Sequence, residues 1–314
     1  MRKVWSRFAR FVLNKIGGVT SEVRRDFVEN KTCKDAQRYP SNAPFISPRA
    51  LRIKPITKDT ELYLSLSEHP GNTGTLLFNR LFSLCGIDAV YKACKVERGH
   101  FKDAFNGFKA LKIAGGGVSM PFKYEAALMV YSLEGVAVRL GAINTLKADL
   151  SGKIKGYNTD YVAAHKVLPD FPMKTYVLGS GGVAAAVALA LKDRGYHDVT
   201  IISRRPELIK IPQELNFKKI KWENLKDLEV PKAVFNCTPL GMVPENELIT
   251  PVEWAAKLSL AVDLTYRPEG TLFANTLREK GVSVVDGKAF GRLQAVEQFR
   301  IYTGIRIDES SINE

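Results

Sequence analysis

The chain has 314 residues, 45% of them hydrophobic and 25% charged, and a formal net charge of +13 at pH 7. Values this ordinary exclude a disordered or fibrous chain, and the length predicts two domains with sizeable cores. The charge invites a nucleic-acid reading, but residues 1–55 hold 13 Lys/Arg against 4 Asp/Glu and the rest 33 against 29, so the basicity is N-terminal and the body carries no nucleic-acid module.

Cys33, Cys85, Cys94 and Cys237 stand far apart with no C-x-x-C pair, which excludes a disulfide framework and favours a reducing, cytoplasmic setting. His69, His100, His165 and His197 are equally scattered, so no metal site is expected. The opening stretch MRKVWSRFARFVLNKIGG sets Val4, Trp5, Phe8, Phe11, Val12 and Ile16 at helical spacing against Arg2, Lys3, Arg7, Arg10 and Lys15. Such a basic amphipathic helix suits an organelle transit peptide or a membrane-surface anchor. A helix packed on the body, or an extension without function, is the other reading. No apolar run reaches the roughly 18 residues of a spanning helix. Residues 30–58, with Pro40, Pro44 and Pro48, read as a connection, and the folded body is expected to start near Glu61.

From there strands and helices alternate: strand 62–66, helix 74–84, strand 90–93, helix 101–110 and strand 113–120. The last strand runs through Gly115, Gly116 and Gly117 into VSMPFK. Pro121 suits the first turn of a helix, where a missing N–H is no loss, and Lys123 then falls in that turn, where a cation opposes the helix dipole. An unfavourable place for a charge points to use in a cleft, although a solvated lysine is the commoner case. Two polar clusters, GAINT at 141–145 and GYNTD at 156–160, interrupt the apolar strands that follow. Taken singly, their Asn, Thr and Asp read as turn formers.

The second half opens with an apolar strand at 175–178, then GSGGVA at 179–184 and a helix at 185–192. This is G-x-G-x-x-A between strand and helix, a dinucleotide fingerprint. Gly179 makes the tight turn, Gly181 lets the backbone approach a pyrophosphate, and Ala184 lets the helix pack close on the sheet. The helix N-terminus offers N–H groups and a positive dipole end to phosphates. Strand 199–202 ends in Ser203-Arg204-Arg205, where an acid would otherwise bind a ribose hydroxyl. Two arginines there suit a 2′-phosphate and favour NADP over NAD. Strand 233–236 with its CTPLGM loop, strand 260–264, helix 270–280 and strand 282–285 follow. The alternation implies a parallel doubly wound sheet with ligand at the carboxyl ends of its strands.

In their order along the chain VSMPFK, GAINT, YNTD, GSGGVA, SRR, NCTPLGM and GRLQAVEQF resemble the shikimate dehydrogenase family, over about residues 61–304. SLS…NTGT with YNTDY and LQAVEQF is similar to its divergent shikimate dehydrogenase-like branch. The resemblance implies a two-domain α/β fold: an N-terminal substrate domain (61–160) and a C-terminal NADP-binding Rossmann domain (161–286). A C-terminal helix (287–314) would pack back on the first, with residues 1–60 as an extension. It implies NADP-dependent hydride transfer to and from a ring hydroxyl of shikimate. Quinate, an aminoshikimate or another cyclic hydroxy acid are alternative substrates, and a non-catalytic NADP-binding role is the alternative function. Lys123 and Asp160 are the implied catalytic pair, since an amine within hydrogen-bond reach of an alcohol can take its proton as hydride leaves carbon. The implied substrate contacts are Asn72, Thr75, Ser119, Asn144, Tyr266 and Gln294. Those implied for NADP are Gly179, Gly181, Gly182, Ala184, Ser203, Arg204, Arg205, Asn236, Thr238, Met242 and Gly287. A small-molecule substrate is the expected partner, a homodimer is compatible with the family, and nucleic acid is not expected.

The chain departs from the family on the side expected to hold substrate. Where the family has S-x-S-P it reads Asn72-Thr73-Gly74-Thr75, and Gly117 replaces an asparagine, Tyr157 an aspartate and Tyr161 a glycine. Asn72 and Thr75 keep hydrogen-bonding groups for a carboxylate, and altered pocket polarity changes the choice of substrate.

Overall fold

The computed structural model describes residues 55–211, 215–243 and 250–312. The reading of the basic N-terminal helix and of most of the Pro-rich connection lies outside the described residues. In chain order the first lobe runs β1 (Glu61–Ser67), α1 (Thr73–Leu84), β2 (Ala89–Lys95), α2 (Phe101–Ala110), β3 (Gly115–Gly117), α3 (Lys123–Ala127), β4 (Ser132–Leu133), α4 (Ala137–Leu140), β5 (Thr145–Ala148) and β6 (Ile154–Tyr157). The second runs α5 (Thr159–Val167), β7 (Thr175–Leu178), α6 (Gly182–Asp193), β8 (Val199–Ser203), β9 (Lys218–Lys221), β10 (Ala233–Asn236), β11 (Leu260–Asp263), α7 (Leu272–Glu279) and β12 (Ser283–Val285), and α8 (Gly287–Thr303) follows.

The first sheet has the order β2-β1-β3-β5-β6-β4. Strands β2, β1 and β3 are parallel, whereas β5 is antiparallel to both β3 and β6. The reversal between β5 and β6 is local chemistry. Asp149 Oδ1 accepts from the backbone N–H groups of Ser151 (2.9 Å) and Lys153 (3.0 Å), closing a short Asx-type turn. The glycine run in β3 has a steric cause: a Cβ on Gly116 would lie 1.8 Å from Leu64 O of β1. Strand β3 is shorter than the expected 113–120, and Val118 adds a single bridge to Leu66. Pro121 lies outside the helix it was expected to start, since Phe122 is the N-cap of α3. Lys123 falls in the first turn of that helix, as expected, and is its first residue.

The second sheet is wholly parallel, with the order β12-β11-β10-β7-β8-β9. Counted from β7 as strand 1, that is 3-2-1-4-5-6, the doubly wound order whose direction reverses between the first and fourth strands. Here the switch point lies between β7 and β10. Helix α6 packs against this sheet with every residue from Ala184 to Leu191 buried, because a run of alanines lets the helix backbone approach closely. Helix α8 serves both cores. Phe290 joins the cluster around β7 and α6, while Ala295, Phe299 and Tyr302 pack with Tyr63, Phe78, Phe82 and Tyr91 of the first lobe.

Candidate active site

Four of the polar side chains singled out by the sequence meet at one point. Lys123 Nζ donates to Asp160 Oδ2 at 2.5 Å, and the lysine side chain is 13% exposed against 1% for the aspartate. The other oxygen, Asp160 Oδ1, accepts from Asn144 Nδ2 at 2.9 Å and from Gln294 Nε2 of α8. The three residues of the NTD motif divide the work. Asn158 caps α5 by accepting from Tyr161 N (3.2 Å) and donates to Ala142 O (2.9 Å). Thr159 is buried and its N–H donates to Asn144 Oδ1 at 2.9 Å. Asp160 is thereby set in the first turn of α5, aimed at Lys123. On the other side Ile143 N donates to Lys123 O at 3.0 Å, which ties α3 to the GAINT strand.

The dinucleotide turn lies against this cluster. Gly179 has φ +116°, and a Cβ there would come within 2.9 Å of Cys237 O on the β10 loop. The two loops of the switch point therefore touch through a position only glycine fits. The Cβ and Cδ of Lys123 each lie 3.5 Å from where a Gly182 Cβ would be, so the lysine stem packs beside the start of α6. Nothing lies within 4 Å of the corresponding point on Gly181, which leaves an open cradle at that helix N-terminus. Ser203 Oγ at the end of β8 is buried with no hydrogen-bond partner, and Arg204 and Arg205 after it are exposed. An open glycine turn, free helix N–H groups, an orphaned hydroxyl and two guanidinium groups are the donors a phosphorylated dinucleotide requires.

Several other expected site residues have parts of their bonding capacity already used. Asn236 Nδ2 donates to Asp263 Oδ1 (2.8 Å), while its Oδ1 accepts from Thr238 N (3.0 Å) and Thr238 Oγ1 (2.6 Å). These two side chains brace the loop from within. Gly287 packs on the backbone of Thr265 and Tyr266, and Tyr266 and Met242 are 42% and 45% exposed. Ser119 is half-buried and its N–H donates to Leu66 O at 3.0 Å. Thr75 Oγ1 accepts from Ala93 N of β2 at 3.0 Å and keeps its proton to offer, and Asn72 stands exposed at the N-cap of α1 without a side-chain cap bond. Near Gly117, a Cβ would lie 2.9 Å from the Tyr91 hydroxyl and 3.1 Å from Ser65 Oγ, so these groups fill the room of the missing side chain. Burial pushes the Tyr91 phenol up to about 12. Tyr161 turns away from the Lys123–Asp160 pair, its hydroxyl donating to Asp193 Oδ2 of α6 at 2.8 Å. The sequence reading passed over Gln298, which donates to Thr145 Oγ1 (3.0 Å) and Asn144 O (3.3 Å). Its i+4 spacing from Gln294 in LQAVEQF carried the signal, since such residues share a helix face.

A doubly wound nucleotide sheet whose first turn meets a lysine–carboxylate pair, with Lys123 from the other α/β lobe and Asp160 from α5, defines a dinucleotide-dependent oxidoreductase. The chain belongs to the shikimate dehydrogenase family. Residues 73–146 match the model of the shikimate dehydrogenase substrate binding domain. The chain is similar to the shikimate dehydrogenase-like protein of Haemophilus influenzae, 34% identical over 268 residues, covering 82% of this chain and 96% of that one. It is 30% identical to the shikimate dehydrogenase (NADP(+)) of Aquifex aeolicus over 237 residues, covering 74% and 87%. Among solved structures it resembles a chorismate mutase/shikimate 5-dehydrogenase fusion protein from Clostridium acetobutylicum, with a TM-score of 0.71 and 34% identity over 81% of this chain and 95% of that one.

Proposed function

We infer that the protein catalyses reversible hydride transfer between NADP(H) and a ring hydroxyl of shikimate or a closely related cyclic hydroxy acid. The observation that carries this is the 2.5 Å Lys123–Asp160 contact packed against Gly182 of the dinucleotide turn. Bound NADP supplies the hydride acceptor and donor. Lys123 Nζ takes the proton of the reacting hydroxyl during oxidation and returns it during reduction, and Asp160 Oδ2 orients the amine. Gln294 and Asn144 hold Asp160 and edge the substrate site, with Ser119 and Tyr266 beside it. Asn72 and the proton of Thr75 bind the acid group at the N-terminus of α1, where the helix dipole favours an anion. The Gly179–Ala184 turn holds the pyrophosphate, Ser203, Arg204 and Arg205 hold the phosphorylated ribose, and the Asn236–Met242 loop contributes backbone groups with Gly287 close by.

The departures at Asn72–Thr75, Gly117 and Tyr157 leave Lys123 and Asp160 in place and put the particular acid in play. Purified protein incubated with NADP⁺ and shikimate, quinate or an aminoshikimate, each beside a Lys123→Ala control, tests the reading by the rise of NADPH absorbance. Lysine-dependent turnover of one of these acids is the expected result. NADP⁺ binding without any lysine-dependent turnover would sink it in favour of a purely cofactor-binding protein.

A further inference from the structure

We propose that Gln298 is a positioning residue for this reaction: together with the Thr159 N–H it holds the direction of a buried hydrogen-bond chain, through Thr145 and Asn144, that ends on Asp160. The inference rests on the functional reading above for its kinetic consequence, though not for the chain itself. Its logic is that of donors and acceptors. The backbone carbonyl of Asn144 can only accept, so the group of Gln298 that faces it at 3.3 Å is the amide nitrogen. The same nitrogen lies 3.0 Å from Thr145 Oγ1, so that oxygen accepts from Gln298. A hydroxyl has one proton, and with its oxygen accepting from Gln298 the Thr145 proton goes to Asn144 Oδ1 at 2.8 Å. Thr159 N–H reaches the same Oδ1 at 2.9 Å. Thr159 Oγ1 lies 3.2 Å from that oxygen as well, and with the N–H of Thr159 and the hydroxyl of Thr145 donating to it the Asn144 amide has one orientation, its nitrogen facing Asp160 Oδ1 (2.9 Å) and Thr159 Oγ1 (3.0 Å).

The consequence reaches the reacting groups. Asp160 Oδ1 is occupied by the amides of Asn144 and Gln294, so Oδ2 alone remains for Lys123. Asn144, Thr145, Thr159 and Asp160 are all buried, at 4% exposure or less, so water does not substitute for a missing link. One face of α8 thus controls the aspartate twice, directly through Gln294 and at one remove through Gln298.

Three single variants and one double variant test the chain. Gln298→Glu keeps the size but presents an acceptor to both Asn144 O and Thr145 Oγ1, which draws the Thr145 proton away from Asn144. A fall in kcat of about tenfold or more is expected at pH 9, with the KM for NADP⁺ within twofold of wild type. The deficit should narrow toward pH 5.5, because the introduced carboxyl regains a donor when protonated. Gln298→Met, which removes both donors without adding an acceptor, should lose less, by the same factor at every pH. Thr145→Val should match the glutamate variant at pH 9, and the two changes together should be no worse than Thr145→Val alone. A glutamate deficit that is flat with pH, or additive losses in the double variant, would overturn the proposal. Hydrogen exchange of the Asn144 side-chain amide, followed by NMR without substrate or cofactor, separates the two readings. Slow exchange in the wild type and faster exchange in Gln298→Glu supports the chain even if no shikimate-like acid is turned over, and equal exchange rates refute it even if one is.

Discussion

The two oxygens of Asp160 do different things, and that difference predicts what a near-isosteric change will do. Oδ1 meets only amide donors and Oδ2 meets only the lysine amine. An asparagine offers one acceptor and one donor, so either rotamer sets its NH2 against donors already in place. Asp160→Asn is therefore expected to lower kcat by about 100-fold or more while the Kd for NADP⁺ stays within threefold. Steady-state rates and a fluorescence titration check both halves. Cys237 illustrates the reverse case, a nucleophile kept idle. Burial, with the charges of Asp160 and Asp263 adding, pushes its thiol far above the usual cysteine range, and it is 7% exposed. Iodoacetamide at pH 8 should alkylate the exposed Cys85 and leave Cys237 unmodified in the folded protein, as read by peptide mass spectrometry. Modification of Cys237 at the Cys85 rate would contradict the buried placement.

At the scale of elements, what the sequence made legible was what local chemistry decides alone. The apolar runs at Thr175–Leu178 and Ala233–Asn236 and the amphipathic Phe101–Ala110 fall where the pattern puts them, and the glycine turn lies between a strand and a helix as its spacing requires. Strand β9, with the sequence KKIK, was illegible, because an edge strand needs little apolar content and exposed lysines guard its free edge. The antiparallel β5–β6 pair was legible only as polar interruptions, since its direction is fixed by a turn and by pairing with β3, a contact remote in sequence. Tyr161 looked like a change to the substrate pocket, and only the packing of α5 on α6 reveals that it joins Arg139 on Asp193. Arg139 of α4 binds that carboxylate through two bonds, at 2.8 and 3.1 Å. Burial raises the Asp193 carboxyl, but the hydrogen bonds from Arg139 and Tyr161 outweigh it and hold it below its ordinary 3.8. A depressed folded value means that stability is present above about pH 4 and is lost as pH falls through the folded value. Partial exposure and screening limit the contribution to about 0.5–1 kcal/mol. Urea unfolding should show Asp193→Asn less stable by that amount at pH 7, with a smaller deficit at pH 3. A deficit of the same size at both pH values would rule out the ionised carboxylate as its source.

For the molecule as a whole, helix α8 belongs to neither sheet alone. Its first turn is held at the second sheet, where Asp286 caps it by accepting from Ala289 N at 3.0 Å and Phe290 is buried in the nucleotide-side core. Its last turns complete the aromatic cluster of the first lobe, with the Phe299 ring 5.9 Å from Phe82 and the Tyr302 ring 5.0 Å from Tyr63 and 5.4 Å from Phe78. Between these ends lie Gln294 and Gln298, so the helix that joins the lobes also carries the groups that fix Asp160. Phe299 is fully buried, and replacing it with alanine should cost about 3–5 kcal/mol through lost burial and the cavity left behind. The loss should not be shared equally. The second sheet keeps its own cores around Val177, Ala186 and Ile201 and around Trp254 and Phe273, whereas the cluster of Tyr63, Phe78, Phe82 and Tyr91 loses a central ring. In hydrogen exchange, Phe299→Ala should therefore release β1, β2 and α1 while β7, β8 and α6 stay protected. NADP⁺ binding should survive, and turnover should fall because the far end of α8 no longer holds Gln298 and Gln294 in register. Uniform loss of protection across both sheets would mean that the two lobes unfold as one cooperative unit, and that α8 is a strut of a single core instead of a link between two.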